Sequence, residues 1–470
     1  MFSNTFCRSK KMLAAGLLFL LTVKQGSLRA ESDPSRPNIV FILLDDMGRN
    51  DLGFLGSDFY ETPNIDKLAS EGMFFSNAYA NAPNCAPSRA SIVTGQYTPR
   101  HGILTVNSSE RGDASKRKIV PIPNKKSLRK DAVTIAQAMR NAGYETGQVG
   151  KWHVGKDPLT QGFDFNAGGS HRGSPSTYYS PYRLSHLEDG PKGEYLTDRL
   201  TDEAIGFIKK KRDKPFFLYL SQYAVHTPIH PPKNLISKYK AKKKGEIHKH
   251  PGYAAMVENA DMNIGRVLKV LKDQGMEENT MVIFFSDNGG HGVYTDMSPM
   301  RGSKGMLYEG GVKEPLIVKW PKHIKKGSRC DTPVMGADFF PTMLASAGVS
   351  LKKYDIDGVD LSPLLKQKGK IEKRALYWHF PVYLQGYKKG MNFRTTPAAS
   401  VRYGDYKLIE FFEDGKLELY NLRQDEGEKY NLAEAKPKMV RKMSKMMRDW
   451  RKKVRARVPT KPNPLYKGDI

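Results

Sequence analysis

The sequence is poor in cysteine, with 3 among 470 residues. One of these, Cys7, lies in an N-terminal segment that we predict to be removed, so that Cys85 and Cys330 remain. Two cysteines allow one disulfide by count, but exported domains that depend on disulfides usually carry several pairs. Neither has a histidine or a further cysteine nearby at metal-ligand spacing, which excludes a zinc site. Any special role of Cys85 must therefore come from its other neighbours.

The sequence also lacks an apolar run long enough to span a bilayer. The best candidate, residues 12–23, falls short of the roughly 20 residues that a membrane-spanning helix needs. Basic residues precede it and Ala30 follows it, which is the pattern of a signal peptide. A membrane anchor is the alternative interpretation, and the position of Cys7 before the apolar run argues against a lipoprotein. We predict a signal peptide over residues 1–30, with export to the periplasm or the medium.

Acidic residues are scarce as well: 49 Asp and Glu face 76 Lys and Arg, for a net charge of +27. Removal of residues 1–30 takes away five basic residues and no acidic one, which leaves +22. An exported protein with this excess is attracted to polyanions. No nucleic-acid-binding motif appears, so sulfated or uronic-acid polysaccharides fit better as partners than DNA or RNA.

Buried strands that alternate with helices are what the first three quarters of the chain contain. Apolar, β-branched runs predict strands, at residues 38–44, 216–220, 281–285 and 316–318. Helical patterns lie between them, at 64–72, 131–142, 199–211 and 254–274, and three are followed by possible C-cap glycines, Gly72, Gly143 and Gly275. This alternation predicts an α/β domain over residues 34–370 with a central mixed sheet flanked by helices.

The pattern changes after residue 370. Short, partly alternating segments separated by Gly or charged turns predict an antiparallel sheet, at 375–380, 398–402, 406–412 and 416–421. A basic amphipathic helix follows at about 436–456, with an apolar stripe of Met439, Met443, Met446, Met447 and Trp450. We expect that stripe to pack on the small sheet. Residues 371–470 are therefore predicted to form a smaller C-terminal α+β domain.

Hard oxygen ligands follow two of the predicted strands. Asp45 and Asp46 end the first strand, and Asp287 and Asn288 end the strand at 281–285. Carboxylate and amide oxygens suit Ca²⁺ or Mg²⁺, and α/β folds place their sites at the carboxyl ends of strands. The two strand ends meet if the strands are neighbours. A turn or a helix cap is the alternative reading of the acidic pair alone.

Two motifs carry a family resemblance. Residues 85–95 read CAPSRASIVTG and residues 143–155 read GYETGQVGKWHVG. They resemble the C-x-P-S-R…T-G and G-K-W-H-x-G motifs of type I, formylglycine-dependent sulfatases. The resemblance extends over most of the chain, from residue 36 to about residue 433, and is closest in character to bacterial carbohydrate sulfatases. It implies an alkaline phosphatase-like fold.

For Cys85, the resemblance implies oxidation to formylglycine by a maturation enzyme that reads Pro87 and Arg89. The hydrated aldehyde is a gem-diol nucleophile, which can expel sulfate by collapsing back to the aldehyde. A serine or thiol would instead hold a covalent sulfate that water releases with difficulty. A buried structural thiol is the alternative interpretation of Cys85.

The resemblance also implies a ligand set and a division of roles. Asp45, Asp46, Asp287, Asn288 and the modified residue 85 would hold Ca²⁺, with Mg²⁺ as a second possibility. Fixed cations must surround an electron-rich sulfate in the transition state.

The roles that the resemblance implies for the other side chains follow from this requirement. Arg89 would orient the gem-diol, and Lys151 and Lys304 would contact sulfate oxygens. His153 would take the proton of the hydrated aldehyde, and His226 would protonate the leaving alcohol.

The sequence says much less about the identity of the substrate. The candidates for lining its pocket are His101, His171, Arg172, His230, His291, Arg301, His379 and Arg394, and each has an alternative role in packing or in a loop. We expect a sulfated carbohydrate or polysaccharide, such as a marine galactan, with the sugar, the sulfated position and exo or endo attack left open. A phosphate or phosphonate ester hydrolase of the same superfamily and an inactive polyanion-binding relative remain the alternative functions.

Overall fold

One large mixed sheet organises most of the chain. The computed structural model describes residues 36–468, so the predicted signal peptide at 1–30 lies outside the described residues. The strands of this sheet are β1 (Asn38–Leu44), β2 (Met73–Tyr79), β3 (Glu145–Gly150), β4 (Phe165–Ala167), β5 (Phe216–Ser221), β6 (Thr280–Ser286), β7 (Lys313–Lys319), β8 (Ser328–Cys330) and β9 (Val334–Met335). Their order is β4-β3-β5-β1-β6-β7-β2-β8, and β9 also pairs with β2.

Strand β1 lies at the centre of the sheet, between two parallel neighbours. It pairs with β5 on one side and with β6 on the other. The sheet is mixed because β7 runs antiparallel to both β6 and β2. The prediction of a central mixed sheet is confirmed. The four predicted strands exist, and the sequence pattern missed the shorter or more polar ones such as β3, whose ETGQVG segment lacks an apolar run.

Helices cover both faces of the sheet. They are α1 (Pro63–Glu71), α2 (Cys85–Thr94), α3 (Thr98–His101), α4 (Ile135–Asn141), α5 (Leu196–Lys209), α6 (Lys233–Ala241), α7 (Pro251–Asp273), α8 (Glu309–Val312), α9 (Phe339–Ser346) and α10 (Ser362–Leu365). Helices α1, α5 and α7 pack with the even-numbered residues of β1, such as Val40 and Ile42, and α2, α4 and α9 with the odd-numbered ones. Both faces of β1 are therefore buried, which explains its uninterrupted apolar run.

The ends of two helices differ from the prediction for local reasons. Helix α4 begins at Ile135 rather than 131, because the Thr134 hydroxyl accepts a hydrogen bond from the backbone N–H of Gln137 at 3.2 Å. Gly143 follows it with φ +85°, as expected of a left-handed C-cap. Gly72 differs: its φ is −117°, and an added Cβ would lie 2.7 Å from the Val318 carbonyl oxygen. Close approach to β7, and not a left-handed turn, requires glycine there.

A second, antiparallel sheet forms the C-terminal part. Its strands are β10 (Ala375–Phe380), β13 (Ala398–Tyr403), β14 (Tyr406–Phe411) and β15 (Leu417–Asn421), in the order β10-β13-β14-β15, and a two-stranded hairpin of β11 (Leu384–Gln385) and β12 (Phe393–Thr395) lies beside it. Helix α11 (Pro437–Val454) buries Met443 and Met447 against this sheet, whereas Met446 is only partly buried. The predicted small sheet and its helix are confirmed. The exact division at residues 370 and 371 stays a prediction.

Within residues 36–468, no helix combines the length and the apolar character that crossing a membrane requires.

Candidate active site

The carboxyl ends of β1 and β6 lie side by side. Leu44 is in register with Ser286, so the residues that follow each strand emerge at the same edge of the sheet. The backbone N–H of Asp46 donates to Asp287 Oδ1 at 3.3 Å, and Asn288 Nδ2 donates to Asp46 Oδ1 at 2.9 Å. The structure thus brings together two pairs of oxygen-bearing side chains, and about half of the sequence separates one pair from the other.

Two oxygens in this cluster have no hydrogen-bond partner among residues 36–468. Asp45 Oδ1 and Asn288 Oδ1 are both buried and unpaired in this way. Ligand atoms of Asp45, Cys85 and Asp287 lie within 4.8 Å of one another. Buried, unsatisfied carboxylate and amide oxygens are costly in a protein alone, and they are the ligands that hard divalent cations take. The donor set therefore fits a bound Ca²⁺ or Mg²⁺.

Cys85 is the first residue of α2 and points into the cluster. The Asn84 side chain caps this helix, since its Oδ1 accepts the Cys85 backbone N–H at 3.1 Å. The Cys85 side chain is buried and forms no disulfide, and Cys330 is also a free thiol. Burial raises the pKa of the Cys85 thiol, although Lys151 and Lys304 oppose that effect. At neutral pH it is a protonated thiol, which is a poor nucleophile.

Arg89, one helical turn after Cys85, ties three strand ends together. Its Nε lies 2.6 Å from Asp287 Oδ2, at the end of β6. Its Nη1 donates to the Lys151 backbone carbonyl at 3.0 Å, after β3, and to the Ser221 hydroxyl at the end of β5. Burial alone would lower the pKa of Arg89, but the Asp287 and Asp45 carboxylates raise it above its usual value. The guanidinium is therefore a permanent buried cation at the centre of the site.

Two lysines pair with the two aspartates after β1. Lys151 Nζ lies 2.6 Å from Asp45 Oδ2, and Lys304 Nζ lies 2.6 Å from Asp46 Oδ1. Burial raises the pKa of Asp45 to about 8, with Lys151 opposing and Asp287 adding to the rise. For Asp46 the same burial effect is outweighed by Lys304, which lowers its pKa below the usual range. A cation bound to Asp45 would favour its ionised form.

Both predicted histidines are uncharged in this environment. Burial, helped by Lys151, lowers the pKa of His153 well below its usual value, and its buried Nδ1 has no hydrogen-bond partner among the described residues. In His226, Nδ1 lies 2.7 Å from the Thr227 carbonyl, so this nitrogen carries the proton and Nε2 faces Asp46 Oδ2 at 3.6 Å. Burial and Lys304 lower the pKa of His226, against the effect of Asp46.

The backbone is in a left-handed conformation at two of these positions. Asp46 has φ +62° and His153 has φ +66°. Residues other than glycine adopt this region at a cost of order 1 kcal/mol, and such residues cluster at functional sites. Both residues lie close to Lys151 and Lys304 in the candidate site.

Comparison with protein families assigns the chain to one of them. The sulfatase family profile matches residues 37–349, which is well over half of the chain. The chain belongs to the sulfatase family. A second profile, that of the N-sulphoglucosamine sulphohydrolase C-terminal region, matches residues 302–455. The chain is therefore a sulfuric ester hydrolase with the alkaline phosphatase-like fold.

Individual relatives agree with this assignment. A sulfatase of Formosa agariphila is 35% identical and is aligned over 94% of this chain and 93% of its own. The human N-acetylgalactosamine-6-sulfatase is 30% identical, over 92% of this chain and 88% of its own. The crystal structure of Ps i-CgsB in complex with k-i-k-neocarrahexaose superposes with a TM-score of 0.73 at 30% identity, and covers 88% of this chain and 92% of the other.

Some residues of the sulfatase site were not found by sequence reasoning. Asn84 has a local signal, because an Asn directly before a helix is a preferred N-cap. Ser221 and Tyr253 have none: the Tyr253 hydroxyl, from α7, donates to the Asp46 carbonyl at 3.1 Å. Tyr387, in the β11–β12 hairpin, donates its hydroxyl to the Lys304 carbonyl at 2.8 Å. These contacts depend on the fold and leave no mark in the local pattern.

The prediction that His379 and His101 line the substrate pocket is wrong. His379 is buried, its Nε2 is 2.9 Å from the Arg457 carbonyl, and its ring packs against Phe412. His101 is buried as well, with its Nε2 3.1 Å from the Ser91 hydroxyl and its Nδ1 accepting from the Ile103 backbone N–H at 3.2 Å. Both are packing residues: His101 bonds through both ring nitrogens, whereas His379 bonds through Nε2 and its buried Nδ1 has no partner among the described residues.

The other candidates lie at different distances from the centre. His291 and Arg394 are near it: the His291 ring lies 4.7 Å from that of Tyr387, and the Arg394 guanidinium lies 4.3 Å over the same ring. Arg301 instead faces the small sheet, where its Nη1 donates to the Tyr420 hydroxyl at 3.0 Å. Arg172 is exposed and bonds to the Arg183 carbonyl at 3.0 Å. The remaining two, His171 and His230, stay predictions.

Proposed function

We propose that this sulfatase hydrolyses sulfate monoesters on a sulfated carbohydrate or polysaccharide, with a formylglycine formed from Cys85 and a bound Ca²⁺. One observation carries the proposal. The side chain of Cys85 enters the carboxylate cluster from the first turn of α2, with its sulfur within 4.8 Å of carboxylate oxygens of Asp45 and Asp287. As a buried, protonated thiol it has little reactivity of its own, so that the position makes chemical sense for a precursor.

The proposed ligand set is Asp45, Asp46, Asp287 and Asn288, with an oxygen of the modified residue 85. The buried unpaired oxygens of Asp45 and Asn288 support this set. When bound, the cation would polarise the sulfate ester and the attacking hydroxyl as a Lewis acid. Hard oxygens accept Ca²⁺ and Mg²⁺ alike, and the family resemblance favours Ca²⁺.

The cationic side chains are suited to hold the sulfate group. Lys151 and Lys304 enter the cluster from opposite sides, after β3 and after β6, and each now pairs with an aspartate. We propose that they donate to sulfate oxygens when substrate is bound. Arg89, held by Asp287, would keep residue 85 oriented.

The histidines are assigned to the two proton transfers. Neutral His153 can accept a proton from the hydrated residue 85. One hydroxyl of that residue attacks the sulfate ester, and the residue later releases sulfate by returning to the aldehyde. His226 would give a proton to the leaving alcohol from Nε2. Since Lys304 lowers the pKa of His226, we expect the negative charge of a bound sulfate ester near Lys304 to offset that effect and favour protonation.

The carbohydrate part of the proposal is supported by relatives. The human relative is named for N-acetylgalactosamine 6-sulfate and Ps i-CgsB was solved with a neocarrahexaose. The high positive charge of this chain, +27, suits an anionic glycan. Degradation of sulfated polysaccharides outside the cell is the role we propose.

The proposal can be tested with an aryl sulfate and the matching aryl phosphate. We expect the protein, coexpressed with a formylglycine-generating enzyme, to hydrolyse the sulfate faster, because its lysines and histidines follow the sulfatase arrangement and the chain belongs to that family. Cys85→Ala should abolish turnover while the melting temperature stays within a few degrees, since the change removes one buried sulfur. The mass of the peptide containing residue 85 should show conversion to the aldehyde or its hydrate.

The alternatives give different results in the same assay. Faster hydrolysis of the phosphate would favour a phosphate or phosphonate ester hydrolase. An unmodified thiol together with no turnover of any sulfate ester would favour an inactive polyanion-binding relative. Activity of Cys85→Ala within tenfold of the parent would contradict the role of residue 85.

A further inference from the structure

A hairpin of the C-terminal part brings an arginine to the edge of the sulfate site. The β11–β12 hairpin carries Tyr387 and Arg394, and the Tyr387 hydroxyl donates to the Lys304 carbonyl at 2.8 Å. The Arg394 guanidinium lies 4.3 Å over the Tyr387 ring. A Cβ added at Gly305 would lie 2.6 Å from Arg394 Nε. Arg394 therefore packs directly against the residue that follows Lys304.

A second arginine reaches the same place from the segment before α4. The Tyr383 backbone N–H donates to the Ser109 carbonyl at 2.9 Å, which holds this segment along the start of the hairpin. A Cβ added at Gly112 would lie 2.6 Å from the ring of Phe393. Arg111 lies between these two contacts, and it is close enough to Arg394 for the charge of Arg394 to lower its pKa.

Neither guanidinium is neutralised by the protein. Arg111 Nε and Nη2 and Arg394 Nε are buried, and no hydrogen-bond partner for them exists among residues 36–468. Neither arginine pairs with a carboxylate in the described part of the chain. The Arg394 Nη1 has a single long hydrogen bond, 3.3 Å to the Gln385 carbonyl. By contrast, the buried Arg89 and the partly buried Arg374 each contact an aspartate.

The electrostatics are consistent with a place that lacks a negative charge. Burial and the charge of Arg394 lower the pKa of Arg111 to about 10. Two neighbouring, partly desolvated guanidinium groups repel one another, and such a pair is costly unless an anion occupies the space between them. Burial lowers the pKa of Arg394 and of His291, and Asp46 is close enough to both to raise these pKa values.

We propose that Arg111 and Arg394 form a second anion-binding subsite, which holds a carboxylate or a second sulfate group of the same saccharide. A guanidinium presents two parallel N–H donors that match the oxygens of either group. The inference rests on the proposed function and narrows it: preferred substrates carry a second anionic group beside the sulfate that is hydrolysed. The ring of Tyr387, between Arg394 and His291, offers a face on which a sugar can pack.

The test compares saccharides that differ by one anionic group. Suitable probes are N-acetylgalactosamine 6-sulfate, N-acetylgalactosamine 4,6-disulfate, and the uronate-containing chondroitin 6-sulfate disaccharide. We expect Arg111→Gln and Arg394→Gln each to lower the ratio of kcat/KM for a doubly anionic probe to that for the monosulfate by roughly tenfold or more. Arg394→Lys should retain part of the ratio. The probe whose ratio falls identifies carboxylate or sulfate as the second group.

A binding measurement keeps this inference separate from turnover. In the Cys85→Ala background, the affinities for the same probes should show the preference for two anionic groups, and either Gln substitution should remove it. A parent protein that hydrolyses no sulfate ester would count against the proposed function, while the affinity ratio would still decide on the subsite. Arg129→Gln, an exposed arginine that pairs with Asp131, is the matched control, and its ratios should stay within twofold.

Two outcomes would overturn the subsite. In one, the Gln variants lose activity and affinity equally for the monosulfate and for both doubly anionic probes, which would assign Arg111 and Arg394 to the sulfate site or to folding. In the other, no ratio changes. Thermal unfolding of each variant distinguishes a loss of fold from a loss of selectivity, and Arg394→Lys preserves the charge if Arg394→Gln does not fold.

Discussion

At the scale of single residues, Arg89 links the ends of three strands. It is fully buried, yet it is bound to Asp287, to the Lys151 carbonyl and to the Ser221 hydroxyl. Its contacts lie at the ends of three different strands, so a single planar guanidinium sets their spacing. A point charge on a flexible chain lacks this geometry.

Arg89→Lys should therefore be far from conservative. We expect kcat/KM for a sulfate ester to fall at least about 100-fold, as found when a preorganised donor of an active site is lost. The free energy of unfolding should fall by about 3 kcal/mol, because the buried Asp287 keeps only part of its compensation. Steady-state kinetics and urea unfolding measure the two effects. Arg129→Lys at the surface is the control, and activity of Arg89→Lys within tenfold of the parent would contradict this role.

At the scale of elements, one buried side chain joins two helices. Asp261 lies in the middle of α7, and its carboxylate accepts the backbone N–H groups of Asn64 and Ile65 at 3.1 and 2.8 Å, in the first turn of α1. The Asn64 side chain donates to it as well, at 2.7 Å. The N-terminus of α1 is thus capped from another helix and not from the preceding residue, since Thr62 provides no cap to the backbone.

Asp261→Ala should lower the free energy of unfolding by about 2–4 kcal/mol, because two buried N–H donors lose their acceptor. Asp261→Asn keeps one acceptor oxygen and should lose less. Urea unfolding with intrinsic fluorescence measures both. A loss below about 1 kcal/mol for Asp261→Ala would show that water or another group caps α1.

The parent and Asp261→Asn should differ in how their free energy of unfolding depends on pH. Burial raises the pKa of Asp261 to about 6 from the ordinary 3.8, although the N–H groups of Ile65 and Asn64 oppose the rise. The raised value means that its stabilising contribution is complete below the ordinary pKa and is lost as the pH rises through about 6. The stability of the parent relative to Asp261→Asn should fall over that interval, by up to about 1.4 kcal/mol per pH unit.

At the scale of the whole molecule, a buried ion cluster joins the two sheets. Lys407, in β14, lies 2.9 Å from Glu309 and 3.1 Å from Glu428. Glu309 begins α8, only a few residues after Lys304, and it also accepts the Tyr79 hydroxyl of β2 at 2.7 Å. The small sheet therefore holds the loop that brings Lys304 to Asp46 in the candidate active site.

Lys407→Met should affect both stability and activity. Two buried carboxylates lose their common cation, which costs about 3–5 kcal/mol of unfolding free energy. Loosening of the loop should also lower kcat for a sulfate ester several-fold, and denaturant unfolding with parallel kinetics measures both. The control is Lys416→Met, at an exposed residue of the turn between β14 and β15 that pairs with Glu418. A stability change below about 1 kcal/mol would show that the junction does not depend on this cluster.

The sequence by itself determined the parts whose information is local. The apolar run of β1 ends at Leu44 as predicted, and the run at 281–285 falls within β6, because a strand buried on both faces needs apolar residues at every position. The CAPSR and GKWHVG motifs lie in single short segments, so they identify the family without a structure. The periodicity of the apolar residues also predicts the small antiparallel sheet and its amphipathic helix.

The tertiary structure alone decided which distant residues meet. That Asp45 lies beside Asp287 follows from the pairing of β1 with β6, and strand order is a property of the whole sheet. Arg111 and Arg394 come together through a hairpin and a loop that carry no periodic signal. His379 is of a residue type that often binds substrates, yet packing buries it. Local patterns encode which face of an element is apolar, whereas contacts between elements depend on the free energy of the assembled fold.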